Sequence, residues 1–189
     1  MPSDIDALIV LGNGSPEDEI VGILVWHQKA EKIVRIIKPE KHHVDAFRTV
    51  KSSFERLSAR RLLFIIDQDR VPLNNLFVNI EQVINEQGIE VTSSQPLADS
   101  DRVKVYECML AGQELQITAV ISGLAEFDSP MHVIEDHLVK LAGINSAPNA
   151  KEVWNRLDKD KKETILKSLK DRKTAMEAFP QHFTALSSL

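Results

Sequence analysis

The sequence predicts an α/β fold with a mostly parallel central sheet flanked by helices, and three observations predict it. Short β-branched apolar runs alternate with stretches whose apolar residues recur at three and four. Two alternating segments separated by Ala111-Gly112 add an antiparallel hairpin. A charge-rich stretch beyond Gly143 keeps apolar residues at helical spacing, which reads as a C-terminal helical tail. The expected division is an α/β domain over 1–143 and a helical extension over 144–189 packed on it.

Taken in order, Ala7-Leu8-Ile9-Val10-Leu11 is a short continuous apolar run, a strand buried on both faces. Gly12-Asn13-Gly14 breaks it. Ser15-Pro16-Glu17-Asp18-Glu19 reads as a helix start, with Ser15 as N-cap, Pro16 in the first turn and three acids where the dipole favours them. Ile20, Ile23, Leu24 and His27 would line its inner face. Lys32 to Lys38 reads as a strand ended by Pro39. A helix over Val44 to Ser58 carries the stripe Val44, Phe47, Val50, Phe54 and Leu57. Arg61 to Asp67 is the clearest strand, five apolar residues ending in a carboxylate. A helix over Leu73 to Gln87 follows, stopped by Gly88. Then come a short strand over Ile89 to Thr92 and a polar loop over Ser93 to Asp101. The hairpin runs from Arg102 to Leu110 and from Glu114 to Ile121. A helix over Met131 to Ala142 stops at Gly143, and the tail is helical from Ala150 to Phe179.

Composition bounds the function. The chain has 189 residues, 43% hydrophobic and 27% charged, which suits a soluble globular domain and excludes rods, collagen and wholesale disorder. A net charge of −5 gives no overall electrostatic case for nucleic acid. Cys108 stands alone, so a disulfide framework and a cysteine-rich metal site are excluded, and a cytoplasmic setting is expected. No apolar run approaches the length of a membrane span, and no signal-peptide pattern opens the chain. In open parallel sheets, chemistry collects at the carboxyl ends of the strands.

That rule directs attention to the acids. In Asp67-Gln68-Asp69, alternate residues of a strand point one way, so both carboxylates can meet at one place. Two crowded carboxylates attract a hard divalent cation such as Mg²⁺. The plainer alternative is a turn in which Asp69 caps and Asp67 is solvated. Glu135 lies on the flank of its helix and can lean toward the sheet ends, while Asp136 points away from the core and pairs with Lys140. A solvated helix face is the alternative for both. Gly12 to Ser15 reads either as a cap or as a phosphate-holding turn, and Glu17, Asp18 and Glu19 oppose a bare phosphate. The histidines do not assemble: His132 and Asp136 make a surface pair, and His137 and His182 stand singly. Cys108 is packed and inert. Residues 151–173 hold nine Lys/Arg against five Asp/Glu, a basic helical segment whose apolar residues favour docking on the acidic body over nucleic-acid contact.

The layout resembles a Toprim-like domain, the fold of topoisomerases, primases, overcoming-lysogenization-defect nucleases and small stand-alone prokaryotic proteins. The resemblance rests on order and placement over Ala7 to Gly143. A first strand ends in a glycine turn and a helix (Leu8 to Ile20), a later strand ends in D-x-D (Phe64 to Asp69), and a later helix carries an acidic pair (SPMHVIEDHL, Ser129 to Leu138). It implies Mg²⁺-assisted phosphodiester or phosphoryl chemistry on nucleic acid, with Asp67, Asp69, Glu135 and Asp136 as metal ligands. Where that family has a glutamate before the glycine, this chain has Leu11. Hydrocarbon neither moves a proton nor binds Mg²⁺, so Glu17 or Asp18 must supply the catalytic acid, or the chemistry is lost. The alternatives are a non-catalytic regulatory or interaction module and a nucleotide-binding regulator. A sheet edge left by the hairpin offers a homodimer surface.

Overall fold

A computed structural model describes residues 5–28, 34–57, 59–98 and 100–189. Six strands form one sheet in the order β2-β1-β3-β6-β5-β4. They are β1 (Ala7–Leu11), β2 (Val34–Ile37), β3 (Arg61–Asp67), β4 (Glu90–Pro96), β5 (Val103–Leu110) and β6 (Gln113–Ser122). β1 pairs in parallel with β2 and β3, and β3 in parallel with β6. β5 is antiparallel to both β6 and β4. The sheet is thus parallel at one side and antiparallel at the other. The expected starting residues Lys32 and Ile33 of β2 lie outside the described residues, as do Ser58 and Asp99.

Period-two alternation sorts the sheet into two faces. Leu8, Val10, Leu62, Phe64 and Ile66 face one layer, made of a 3₁₀ helix (His43–Thr49), α2 (Lys51–Leu57) and α3 (Leu73–Glu86). Ala7, Ile9, Leu11, Leu63 and Ile65 face the other. That second layer holds α1 (Glu17–His27), α4 (Glu135–Leu141), α5 (Ala150–Arg156), α6 (Lys159–Ser168), α7 (Arg172–Ala178) and α8 (Pro180–Ser187). Trp154, Leu169, Phe179, Phe183 and Leu186 belong to the same apolar cluster as β1 and α1. The basic tail therefore docks by burying its apolar side, leaving its lysines outward.

Four expectations need correction. The hairpin, expected to leave a free sheet edge, does not: β4 covers β5. β6 lies beside β3 in the middle of the sheet, because Leu115, Ile117, Ala119 and Ile121 on one side and Val120 on the other all need cover. The helix expected over Val44 to Ser58 is a 3₁₀ helix followed by a separate short α-helix. The helix expected from Met131 starts only at Glu135, since 131–133 is tied to the end of β3 instead. Ser15 does not cap α1, whose N-cap position is Pro16. Among the described residues no helix is long and apolar enough to cross a membrane.

Candidate functional site

The connections from β1 and β3 leave toward opposite faces, so their carboxyl ends form the switch point at which an open sheet leaves a crevice. Three carboxylates gather there from three elements. Asp67 continues the Leu63, Ile65 phase of β3 and so faces α1 and α4. Glu17 lies three and four residues before Ile20 and Val21, on the buried stripe of α1. Glu135 opens α4. All three are buried: Glu17 is 0% exposed, Asp67 4% and Glu135 2%.

Asn13 ties two of them together. Its backbone N–H donates to Glu17 Oε2 at 2.9 Å, and its side-chain Oδ1 accepts from the Asp67 N–H at 3.1 Å. Asp67 Oδ1 accepts from the Ile134 N–H at 2.7 Å. Glu17 Oε1 is buried with no hydrogen-bond partner. Burial, then the charge of Asp67, raises the Glu17 pKa well above the usual carboxylate range, against the pull of the Asn13 N–H. Burial and the charge of Glu135 likewise raise Asp67 strongly. Glu135 is raised by burial, with the Lys151 charge among the opposing influences. Glu17 thus lies in the field of Asp67 and Glu135, and Asp67 in that of Glu135 and Asp69, while the like charges acting on Glu135 are Asp136 and Asp69.

Gly12 is a packing residue, since a Cβ there would lie 2.1 Å from Ile66 Cγ2. Its N–H donates to Ile65 O at 2.7 Å, and its carbonyl accepts from the His43 N–H. With the Asn13 N–H also engaged by Glu17, this turn presents two occupied donors rather than an open phosphate cradle. His43 closes the rim, its Nε2 lying 3.1 Å from Asp67 O and 3.6 Å from Asp69 Oδ2. Asp69, left-handed at φ 54°, is bound through two backbone hydrogen bonds to His132. Gly123 allows this join: a Cβ there would come 2.5 Å from His132 Cβ.

The remaining predicted acids are placed elsewhere. Asp18 forms an ion pair with Lys38, which lowers its pKa, chiefly through their hydrogen bond. Asp69 is half exposed beside His43. Asp136 is fully buried rather than solvated. Its Oδ2 accepts from the Leu124 N–H at 3.2 Å and faces His132 Nδ1 at 3.1 Å, while Lys140 pairs with Glu126 instead. Starting the helix at Glu135 turns Asp136 inward, which a wheel begun at Met131 does not foresee. Leu11 sits in the apolar core. Among the described residues, no three carboxylate, histidine or cysteine side chains stand close enough as they are to hold one ion among them.

The histidines do assemble. His137 and His182 are buried with ring centroids 5.4 Å apart, and Phe179 stacks on His137 at 4.6 Å. His137 Nδ1 meets Ala178 O at 2.6 Å, and its Nε2 accepts from the Gly123 N–H at 3.2 Å. His182 Nε2 meets Ser122 Oγ at 3.0 Å. This nest joins α4 to α8 across residues far apart in the chain, so no local spacing announces it. Cys108 is packed as expected, its thiol pushed up to about 12 by burial. No protein-family model matches the chain, and neither does a curated protein or a solved structure.

Proposed function

We propose that this chain is a Toprim-like protein whose acidic rim supports Mg²⁺-dependent phosphodiester chemistry on nucleic acid, with Glu17 standing in for the strand-end glutamate that Leu11 replaces. One observation carries the reading. Glu17, from a helix start, is buried beside Asp67 and Glu135 with Oε1 unpartnered. A buried carboxylate oxygen without a donor is costly, and a cation or a proton relieves it. The donors are hard oxygens. Mg²⁺ commonly takes only one or two carboxylates and fills its octahedron with water and substrate phosphate. The absence of a three-residue ligand set among the described residues is compatible with that habit, and Asp67 is the first residue to hold the ion, with Glu135 and Asp69 behind it.

When bound, the ion would neutralise charge on phosphoryl oxygens and orient the attacking oxygen. The chain's own residues do the rest. Glu17 moves the proton, since its carboxyl is raised toward neutrality and its Oε1 is free. Asn13 and the Ile134 N–H hold Glu17 and Asp67 in fixed orientation. His43 donates toward the Asp67 carbonyl and steadies the end of β3. Asp18 is spoken for by Lys38 and is the weaker choice of catalytic acid. Asp136 orients the loop through Leu124 and His132 rather than facing the rim.

The test is a thermal melt with Mg²⁺ and Mn²⁺ on wild type, Asp67→Ala and Glu17→Gln, paired with cleavage of end-labelled DNA and RNA. Wild type gains about 3 kcal/mol at a hundredfold excess over Kd, and Asp67→Ala does not. Cleavage absent from Glu17→Gln completes the case. A wild type indifferent to both cations overturns it. The second reading is then a non-catalytic interaction module in which the rim is kept protonated, favoured by the lack of a ready three-ligand set. Stabilisation by a mononucleotide without metal would point instead to a nucleotide-binding regulator.

A further inference from the structure

Arg102 precedes β5 and is 6% exposed. Its Nη1 donates to Ser122 O at 3.4 Å, a long bond, and its Nε has no partner. Among the described residues, no carboxylate lies within ion-pair distance of its guanidinium. The acids around it are differently engaged: Asp136 with His132 and the Leu124 N–H, Glu126 with Lys140, while Asp101 is exposed. Buried arginines are normally paired, because an unpaired buried charge is expensive. Burial lowers the Arg102 pKa despite these three acids.

A cavity of about 440 Å³ opens beside this group, lined by Ala98, Arg102, Leu124, Ala125, Pro180 and Gln181, among others. That volume is in the range of small-molecule sites. Pro180 and Gln181 open α8, so the positive end of that helix also borders the cavity. Aliphatic groups share the wall with Ser100, Gln181 and Thr184, and beside one buried cation this mixed lining suits an amphipathic anion. Asp101 and Glu126 also border the cavity and oppose a second negative charge.

We propose that this cavity binds a small organic monocarboxylate, with the carboxylate on the Arg102 guanidinium and the aliphatic part against Leu124, Ala125 and Pro180. The guanidinium fork matches a carboxylate in geometry. With Glu126 paired to Lys140, one buried positive charge faces the exposed carboxylate of Asp101, which disfavours a phosphate dianion more than a monoanion. The site is independent of the acidic rim and stands or falls apart from it.

The experiment is NMR of the full ¹⁵N-labelled chain, following the Arg102 Nε–H signal during titration with hexanoate, hexan-1-ol and inorganic phosphate at matched ionic strength. Hexanoate shifts that signal saturably, hexan-1-ol does not, and phosphate binds at least about tenfold more weakly. Arg102→Gln abolishes hexanoate binding. Asp101→Asn, at an exposed position, tightens it severalfold and keeps the question decidable if Arg102→Gln fails to fold. No saturable shift with hexanoate, an equal response to hexan-1-ol, tighter phosphate binding, or an Asp101→Asn affinity equal to wild type would each overturn the proposal.

Discussion

The acidic rim and the histidine nest bury titratable groups on the same side of the sheet, and they do so in opposite ways. In the nest, His137 is held neutral with a pKa lowered to about 4, and His182 is lowered well below its usual value, both chiefly by burial. Neutral hydrogen-bond partners accept that state, Ala178 O and the Gly123 N–H for His137 and Ser122 Oγ for His182, with only His182 Nδ1 unmatched, and the nearby charge of Arg102 reinforces it. In the rim, Glu17 and Asp67 each accept from one backbone N–H, and their other strong neighbours are carboxylates, opposed at Asp67 and Glu135 by the charge of Lys151. Burial alone therefore does not mark a working site. The mark is burial among like charges that only a proton or a cation can settle.

The pH signs follow. The nest histidines bind a proton less readily folded than unfolded. Their stabilisation is complete above the unfolded value near 6.5 and is lost as pH falls toward about 4. The rim carboxyls bind a proton more readily folded. Their stabilisation is present below the unfolded carboxylate range and is lost as pH rises through the raised folded values. Without metal, the two regions pull stability in opposite directions across mildly acidic pH.

The sharpest way to break the comparison is Gly123→Ala, which strikes both regions at once. At φ 109° the new Cβ would collide with His132, and the Gly123 N–H would be displaced from His137. We expect a loss of about 3 kcal/mol in urea denaturation. His137→Ala leaves a void and two orphaned backbone groups and costs about 3 kcal/mol at neutral pH. It also flattens the acid limb of a Tm-against-pH curve. Glu17→Gln keeps an acceptor for Asn13 and removes the charge. Its Tm without metal should exceed wild type by about 3 °C at about pH 8, with the gap closing as pH falls. A gap constant with pH would refute the like-charge account of the rim. Asp69→Asn touches only a half-exposed contact with His43 and should change stability by under about 0.5 kcal/mol.

Most of the sheet is legible in the residues. β1 and β3 follow from continuous apolar runs, and α3 from its stripe and the positive-φ Gly88 that ends it. The position of β6 is less legible. The sequence shows that it pairs with β5, and the choice of its other neighbour is a long-range matter of covering two faces. Asp67 and Glu135 are readable as site candidates from strand phase and helix flank. The inward position of Glu17 could have been found by extending the Ile20, Val21, Leu24 stripe backward. Asp136 escapes a wheel begun at Met131 because His132 is held by Asp69 and the Ile134 N–H by Asp67, so the helix starts only at Glu135. The His137–His182 pairing and the Arg102 cavity depend on where α8 lands, which no local pattern encodes.

Asn13 has a mechanical consequence. One short amide residue acts as a splint between the first and third strands, gripping a neighbour on each side. What it grips differs on the two sides: the carboxylate of Glu17 on one, only the backbone of Asp67 on the other. The aim of the Asp67 carboxylate is left to the Ile134 N–H, so the helix that follows, not the splint, steers the second acid.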